Sequence, residues 1–315
     1  MWRMLVSALM LLATAAHAQF PAKPVRVVVP FPAGSSTDII TRVLAQSVSQ
    51  SIGQSLVVDN KAGADGAIAA AEVAKAAPDG YTLLMATNSP MSAVPAMKKH
   101  PPYDPVADFT PITDVGRYTF FIVVHPSVPA KTLRELIDYA RANPGKVNYA
   151  TGNTTGIVSS AFFASAAKIQ MVHVPYKGEP QAITDLVAGR VQMMFSSVST
   201  SIPHVREGRL RAIVTTLGKR SHVLPEVPTI AEAGMPEFSI TSWAGLFGPA
   251  RMPREVVERL NKEFVAAMGR AEVQAAMDKQ AFSLSPSSPE KLAAFVKEQM
   301  ESYRRILRAA GVEPD

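Results

Sequence analysis

Residues 30–44 read PFPAGSSTDIITRVL, an apolar run that breaks at Phe31-Pro32-Ala33-Gly34 and restarts as a helical pattern after Ser35, Ser36 and Thr37. A strand that turns through glycine into a helix is the repeating unit of a layered α/β fold. If Ser35 is the N-cap, Asp38 falls at N3 and the pair makes a capping-box-like S-x-x-D. That explains Ser35 and Asp38 but leaves Pro32-Ala33-Gly34 without a role. A ligand carboxylate seated at this helix N-terminus would use the free backbone N–H groups and the favourable end of the helix dipole. Both readings predict a helix from Ser36. The second also makes Phe31, Ala33, Gly34, Ser35, Ser36 and Asp38 a candidate anion seat.

The same alternation recurs. Strand-like runs at 25–31, 56–59 and 81–86 are separated by helical patterns over 36–51 and 67–77, which predicts a parallel sheet covered on both faces. A second series follows, with strands at 119–124, 147–150, 171–174, 191–195 and 210–216 and helices over 132–142, 156–168 and 180–188. Between the two series lies a proline-dense stretch, Pro101-Pro102-Tyr103-Asp104-Pro105 and then Asp108-Phe109-Thr110-Pro111, read as a connector. Pro225, Pro228, Gly234 and Pro236 mark a second boundary before an extended run at 240–247 and terminal helices over 254–268, 272–279 and 289–310. Those helices need a sheet to cover. The expected organisation is therefore one lobe from 19–118 and 243–315, a second from 119–242, and a two-strand hinge crossing near 116–124 and 236–247.

The first residues and the composition narrow the function. Met1-Trp2-Arg3, an apolar stretch through Ala16 and the small-x-small site Ala16-His17-Ala18 predict a secretory signal over 1–18, cleaved near Ala18. The run is shorter than the roughly 20 residues that span a bilayer. Removing it takes one arginine from 32 Lys+Arg against 26 Asp+Glu, leaving a net charge of +5. That mild excess suits an anionic small molecule, without the basic stripe and interleaved aromatics that nucleic acid requires. The chain has no cysteine, hence no disulfide, thiolate nucleophile or thiolate metal site. His100, His125, His173, His204 and His222 show no metal-binding spacing. Neither a G-x-S-x-G elbow nor a phosphate-binding glycine loop is present, so the reading is non-enzymatic, with no cofactor and no metal.

A second strand end runs through glycine and hydroxyls into a helix at Tyr149-Ala150-Thr151-Gly152-Asn153-Thr154-Thr155-Gly156. In open α/β sheets ligands bind beyond the carboxyl ends of strands, so this loop and the first would face one another across a cleft. Thr151, Gly152, Asn153, Thr154 and Thr155 are its candidates. Tyr176, Lys177 and Gly178 follow another strand; they line the same cleft or are solvated rim residues. Asn88 and Ser89 follow the strand ending at Ala86 and are placed there too, or else sit in a plain turn. The loop Ala62-Gly63-Ala64-Asp65-Gly66 is either a further wall or simply a turn.

These motifs together resemble a known family. Pro24-Val25-Arg26-Val27-Val28-Val29-Pro30-Phe31, Val57-Val58-Asp59-Asn60, Pro78-Asp79-Gly80-Tyr81-Thr82-Leu83-Leu84, His173-Val174-Pro175-Tyr176-Lys177-Gly178 and Pro228-Thr229-Ile230-Ala231-Glu232-Ala233-Gly234 are similar to segments of the Bug (TctC-like) periplasmic receptors of tripartite tricarboxylate transporters. The resemblance spans essentially the whole mature chain. It implies a type II periplasmic-binding-protein fold, two α/β lobes each with a doubly wound sheet, and a monomer that captures a small organic carboxylate and passes it to membrane components. It also implies that backbone amides, hydroxyls and waters from the two loops hold the carboxylate. The chain departs from the family where an aspartate often follows the strand at 191–195. Here Ser196 and Ser197 stand instead. If Ser196 faces the cleft, the lost negative charge predicts tolerance of a second acidic group on the ligand; otherwise it caps a turn. Two rival functions stay open at this point: a ligand-presenting sensor for a histidine kinase, and a periplasmic hydrolase or lyase on the same scaffold.

Overall fold

Valines on alternate sides of the first strand are all buried, which requires cover on both faces. β1 (Val25–Val29) leads into α1 (Ser36–Ile52), capped by Ser35 Oγ accepting from Asp38 N and ended by Gly53 at φ 80°, a left-handed conformation that glycine adopts without a Cβ penalty. β2 (Leu56–Asn60), α2 (Ala67–Ala74) and β3 (Thr82–Thr87) complete the first repeat, with β2 and β3 parallel to β1. A π-helical turn over Ser89–Ala93 and the short α3 (Val94–Met97) follow. The computed structural model describes residues 20–238, 240, 242–309 and 314, so the signal expected over 1–18 lies outside the described residues.

β4 (Phe109–Arg117) and β5 (Phe120–Val124) are separated by two residues yet belong to different sheets. The second sheet then collects α4 (Leu133–Ala142), β6 (Asn148–Thr151), α5 (Thr154–Ala167), β7 (Val172–Pro175), α6 (Glu179–Val187), β8 (Met193–Ser197), α7 (Val198–Arg206) and β9 (Arg211–Thr215). The chain returns through β10 (Trp243–Pro249), α8 (Arg254–Met268), α9 (Ala271–Lys279), β11 (Ser283–Leu284) and α10 (Pro289–Ala309). Leu292 and Val296 of α10 share a buried cluster with Val28, Leu84 and Phe247, so this last helix closes one face of the first sheet.

The sheet orders are β2-β1-β3-β10-β4-β11 and β7-β6-β8-β5-β9. They are mixed, which corrects the expectation of parallel sheets: β10 and β5 each run antiparallel to both neighbours. Each of these strands enters its sheet from the hinge rather than from a crossover helix, which reverses its direction. The crossings lie side by side, Tyr118 N donating to Ser242 O at 3.0 Å.

Two segments depart from the sequence reading. Residues 109–111, expected as connector, begin β4; Pro111 sits opposite Phe247 at a register shift, where a residue without an N–H breaks no regular ladder. α7 was not expected, because Val198–Arg206 is rich in Ser and Thr and carries Pro203 inside the helix. Burial of Val198 and Ile202 against the second sheet overrides that weak propensity.

Candidate functional site

The carboxyl ends of β1, β3, β6 and β8 converge between the lobes on a small cavity of about 30 Å³, lined by Phe31, Ser35, Ser36, Thr37, Thr87, Ser89, Tyr118, Phe120, Gly152, Asn153, Thr155, Glu179, Ser197 and Ser242. α1 presents its N-terminus from one side and α5 from the other. The first-turn N–H groups of a helix have no intrahelical acceptor, so both lobes offer donors to one small space.

On the first lobe the seat is braced from behind. Asp38 is 3% exposed and accepts from Gly34 N at 3.0 Å, Arg42 Nε at 3.0 Å and Asn60 Nδ2 at 2.9 Å. Burial alone would raise its pKa, but these bonds, Arg42 foremost, hold the carboxyl below its ordinary range. Asn60 also donates to Phe31 O at 3.0 Å, tying the loop to the end of β2. Asp38 thus shapes the loop from outside the cavity lining. Ala33 and Gly34 are exposed at the turn and also lie outside that lining.

On the second lobe, Asn153 caps α5 by accepting from Gly156 N at 2.9 Å, which turns its Nδ2 toward Glu179 Oε1 at 3.0 Å. Glu179 opens α6 and is 6% exposed. Its Oε2 accepts from Ser197 Oγ, from Thr200 Oγ1 at 2.8 Å and from Ser197 N at 3.2 Å. Burial pushes this carboxyl upward, against the pull of those four donors. Gly152 makes the arrangement possible, since a Cβ there would lie 2.3 Å from Glu179 N. Across the cleft, Ser36 Oγ donates to Ser197 Oγ at 2.7 Å and pairs with Ser199 Oγ; from the crossing segment, Tyr118 donates to Thr37 Oγ1 at 2.8 Å.

Of the residues expected from sequence, Phe31, Ser35, Ser36, Ser89, Gly152, Asn153 and Thr155 line the cavity. Thr151 is buried behind it, its hydroxyl 2.7 Å from His173 Nε2, and Thr154 is buried outside the lining. Asn88 is a strut: its amide nitrogen donates to Thr155 Oγ1 and to the Tyr303 hydroxyl, while its oxygen accepts from Ser242 Oγ at 3.0 Å and Trp243 N at 3.3 Å. Tyr176 and Lys177 border a neighbouring cavity of 300 Å³ with Asp65, and the Tyr176 hydroxyl donates to Asp185 at 2.7 Å. Gly178 packs against Pro32 of the opposite lobe, where a Cβ would meet the ring at 2.8 Å.

Ser196 is the main correction. In the β5–β8 register Phe121 lies opposite Ser196 and Phe120 opposite Ser197. Residues directly opposite share a face. Ser197 therefore joins Phe120 in the cavity, while Ser196 is fully buried, 2.9 Å from Thr200 Oγ1. The inference of a missing negative charge fails as well, because Glu179 supplies a carboxyl to the cavity from α6. Sequence reasoning stopped one residue short of it. The available signal was Gly178-Glu179-Pro180 at a strand-to-helix junction, where an acid looks like ordinary dipole compensation.

Two α/β lobes joined by a double crossing, with a cleft lined by strand-to-helix loops from both, define a receptor of the periplasmic-binding-protein class. A family model described as the tripartite tricarboxylate transporter family receptor, TctC, matches residues 40–312. The chain belongs to that family, whose members are solute-binding receptors rather than enzymes. Protein BugT of Bordetella pertussis is 32% identical over 299 residues, covering 93% of this chain and 91% of that protein. A structure of an R. palustris protein with adipate matches at a TM-score of 0.91 and 32% identity, over 94% of this chain and 100% of that one. MatC from Rhodopseudomonas palustris with bound malate matches at 0.87 and 30% identity, over 91% and 100%. Among the described residues no helix is long and apolar enough to cross a membrane.

Proposed function

We propose that this protein is a periplasmic receptor that closes its two lobes on a small organic carboxylate and delivers it to the membrane components of a tripartite tricarboxylate transporter. The observation that carries the reading is the convergence of the α1 and α5 N-termini on one cavity whose lining contains hydroxyls, an amide and no Lys or Arg. A carboxylate held there is bound by backbone N–H groups and helix dipoles rather than by a paired cation. The adipate and malate in the two related structures support a carboxylate. About 30 Å³ accommodates roughly two waters, so a ligand enters only with the lobes apart, and the two adjacent crossings at Tyr118 and Ser242 allow that rotation.

The test is thermal denaturation of the mature chain with a panel of carboxylic acids and their amides. An acid at about 100 times its Kd raises stability by roughly 2.7 kcal/mol, and its amide leaves the melting curve in place. Equal shifts from acid and amide would overturn the anion seat.

A further inference from the structure

We infer that Glu179 selects the ligand: the cleft takes a carboxylate that also carries a cationic nitrogen, an amino acid rather than a dicarboxylate. This rests on the carboxylate-receptor reading and narrows it. Glu179 lines the cavity between the lobes and is 6% exposed, and the four donors that reach it, from Asn153, Ser197 and Thr200, are all uncharged. No lining residue is Lys, Arg or His. A buried charge held only by neutral dipoles is costly, and a partner of opposite charge relieves that cost.

The donor geometry favours the ionised carboxylate as the form that meets ligand. Three donors converge on Oε2, and Oε1 receives Asn153 Nδ2, whose orientation is fixed because Asn153 Oδ1 is occupied by Gly156 N. Asn153 Nδ2 and Ser197 N can only donate, one to each oxygen, and the Ser197 and Thr200 hydroxyls can turn their protons to the same carboxyl, so the ionised form is supported at both oxygens. Burial raises the proton affinity of Glu179, and an ammonium beside it offsets that rise. A zwitterion then fits both ends of the site, its carboxylate against the α1 and α5 N-termini and its ammonium against Glu179. A second ligand carboxylate would meet Glu179 with like charge.

The test is calorimetry on the mature chain near neutral pH, using the standard amino acids and, for each, the acid that lacks the amino group. The expected result is at least one amino acid bound tenfold or more tightly than its deaminated counterpart, with Glu179→Gln erasing that preference while the variant keeps its fold by circular dichroism. Wild type that prefers the deaminated acid throughout overturns the selection by Glu179 and leaves the receptor reading standing, without recourse to any variant. A preference that survives in Glu179→Gln overturns it too. Silence from every compound overturns both readings.

Discussion

Asp38 and Glu179 each lie in the first turn of a helix that follows a strand, one in each lobe, and they do opposite things. Asp38 is held by a cation, an amide and a backbone N–H, and lies below its ordinary pKa. Glu179 is held by neutral donors only, faces the cavity and lies above its own. The contrast separates a carboxylate that builds a loop from one that meets ligand. Both sit in a helix's first turn, Asp38 at its third residue and Glu179 at its first, and the distinction comes from what packs around each group: Arg42 one turn along α1 in the first case, the end of β8 in the second.

The largest expected effect falls on the structural member. Asp38→Ala removes the buried acceptor shared by Gly34 N, Asn60 Nδ2 and Arg42 Nε and should cost about 3 kcal/mol by chemical denaturation; a loss as small as that of an exposed residue would break the comparison. Its acid limb should change too. A carboxyl with a depressed folded pKa contributes stability above its unfolded value, near 3.8, that is lost as pH falls through the folded one. Asp38→Ala should flatten stability over that acid window.

Gly152→Ala comes next. Its new Cβ meets the backbone at Glu179 rather than a yielding side chain, so a cost of about 2 kcal/mol is expected together with weakened ligand binding. Unchanged affinity would detach Glu179 from the site.

Glu179→Gln should alter stability by less than about 1 kcal/mol at acid pH, where the wild-type carboxyl is already protonated. The sign then favours the variant as pH rises. A raised folded pKa contributes stability present below the unfolded value, near 4.5, and lost as pH climbs through the folded one. The difference between variant and wild type should therefore grow toward neutrality in unliganded protein, and a flat difference would sink the assignment of Glu179 as an uncompensated buried acid.

The smallest effect belongs to Ser36→Ala, which removes the hydroxyl contacts to Ser197 and Ser199 across the cleft. It should cost under about 1 kcal/mol and shift the lobes toward the open form, seen as a larger radius of gyration by small-angle scattering.

Much of this molecule was legible in the residues alone. The break at Pro32-Ala33-Gly34 with Ser35 and Asp38 marked a capped helix after a strand, and Gly152-Asn153-Thr154 marked its counterpart, because turn and cap chemistry is local. Alternating apolar runs likewise specified two α/β lobes, since burial on both faces leaves its pattern in the chain. What the tertiary structure decided was non-local. The reversed direction of β5 and β10 follows from where the chain crosses between lobes. Pro111 became part of a strand because a register shift with β10 accepts it, and Ser197 rather than Ser196 reached the cleft because pairing with Phe120 set the face. Glu179 carried no mark in the sequence and became the carboxyl in the cavity only when Gly152 and Asn153 from one stretch of chain and Ser197 and Thr200 from another were packed around it. A carboxylate's role depends on the dielectric and the partners around it, and those exist only once distant segments meet.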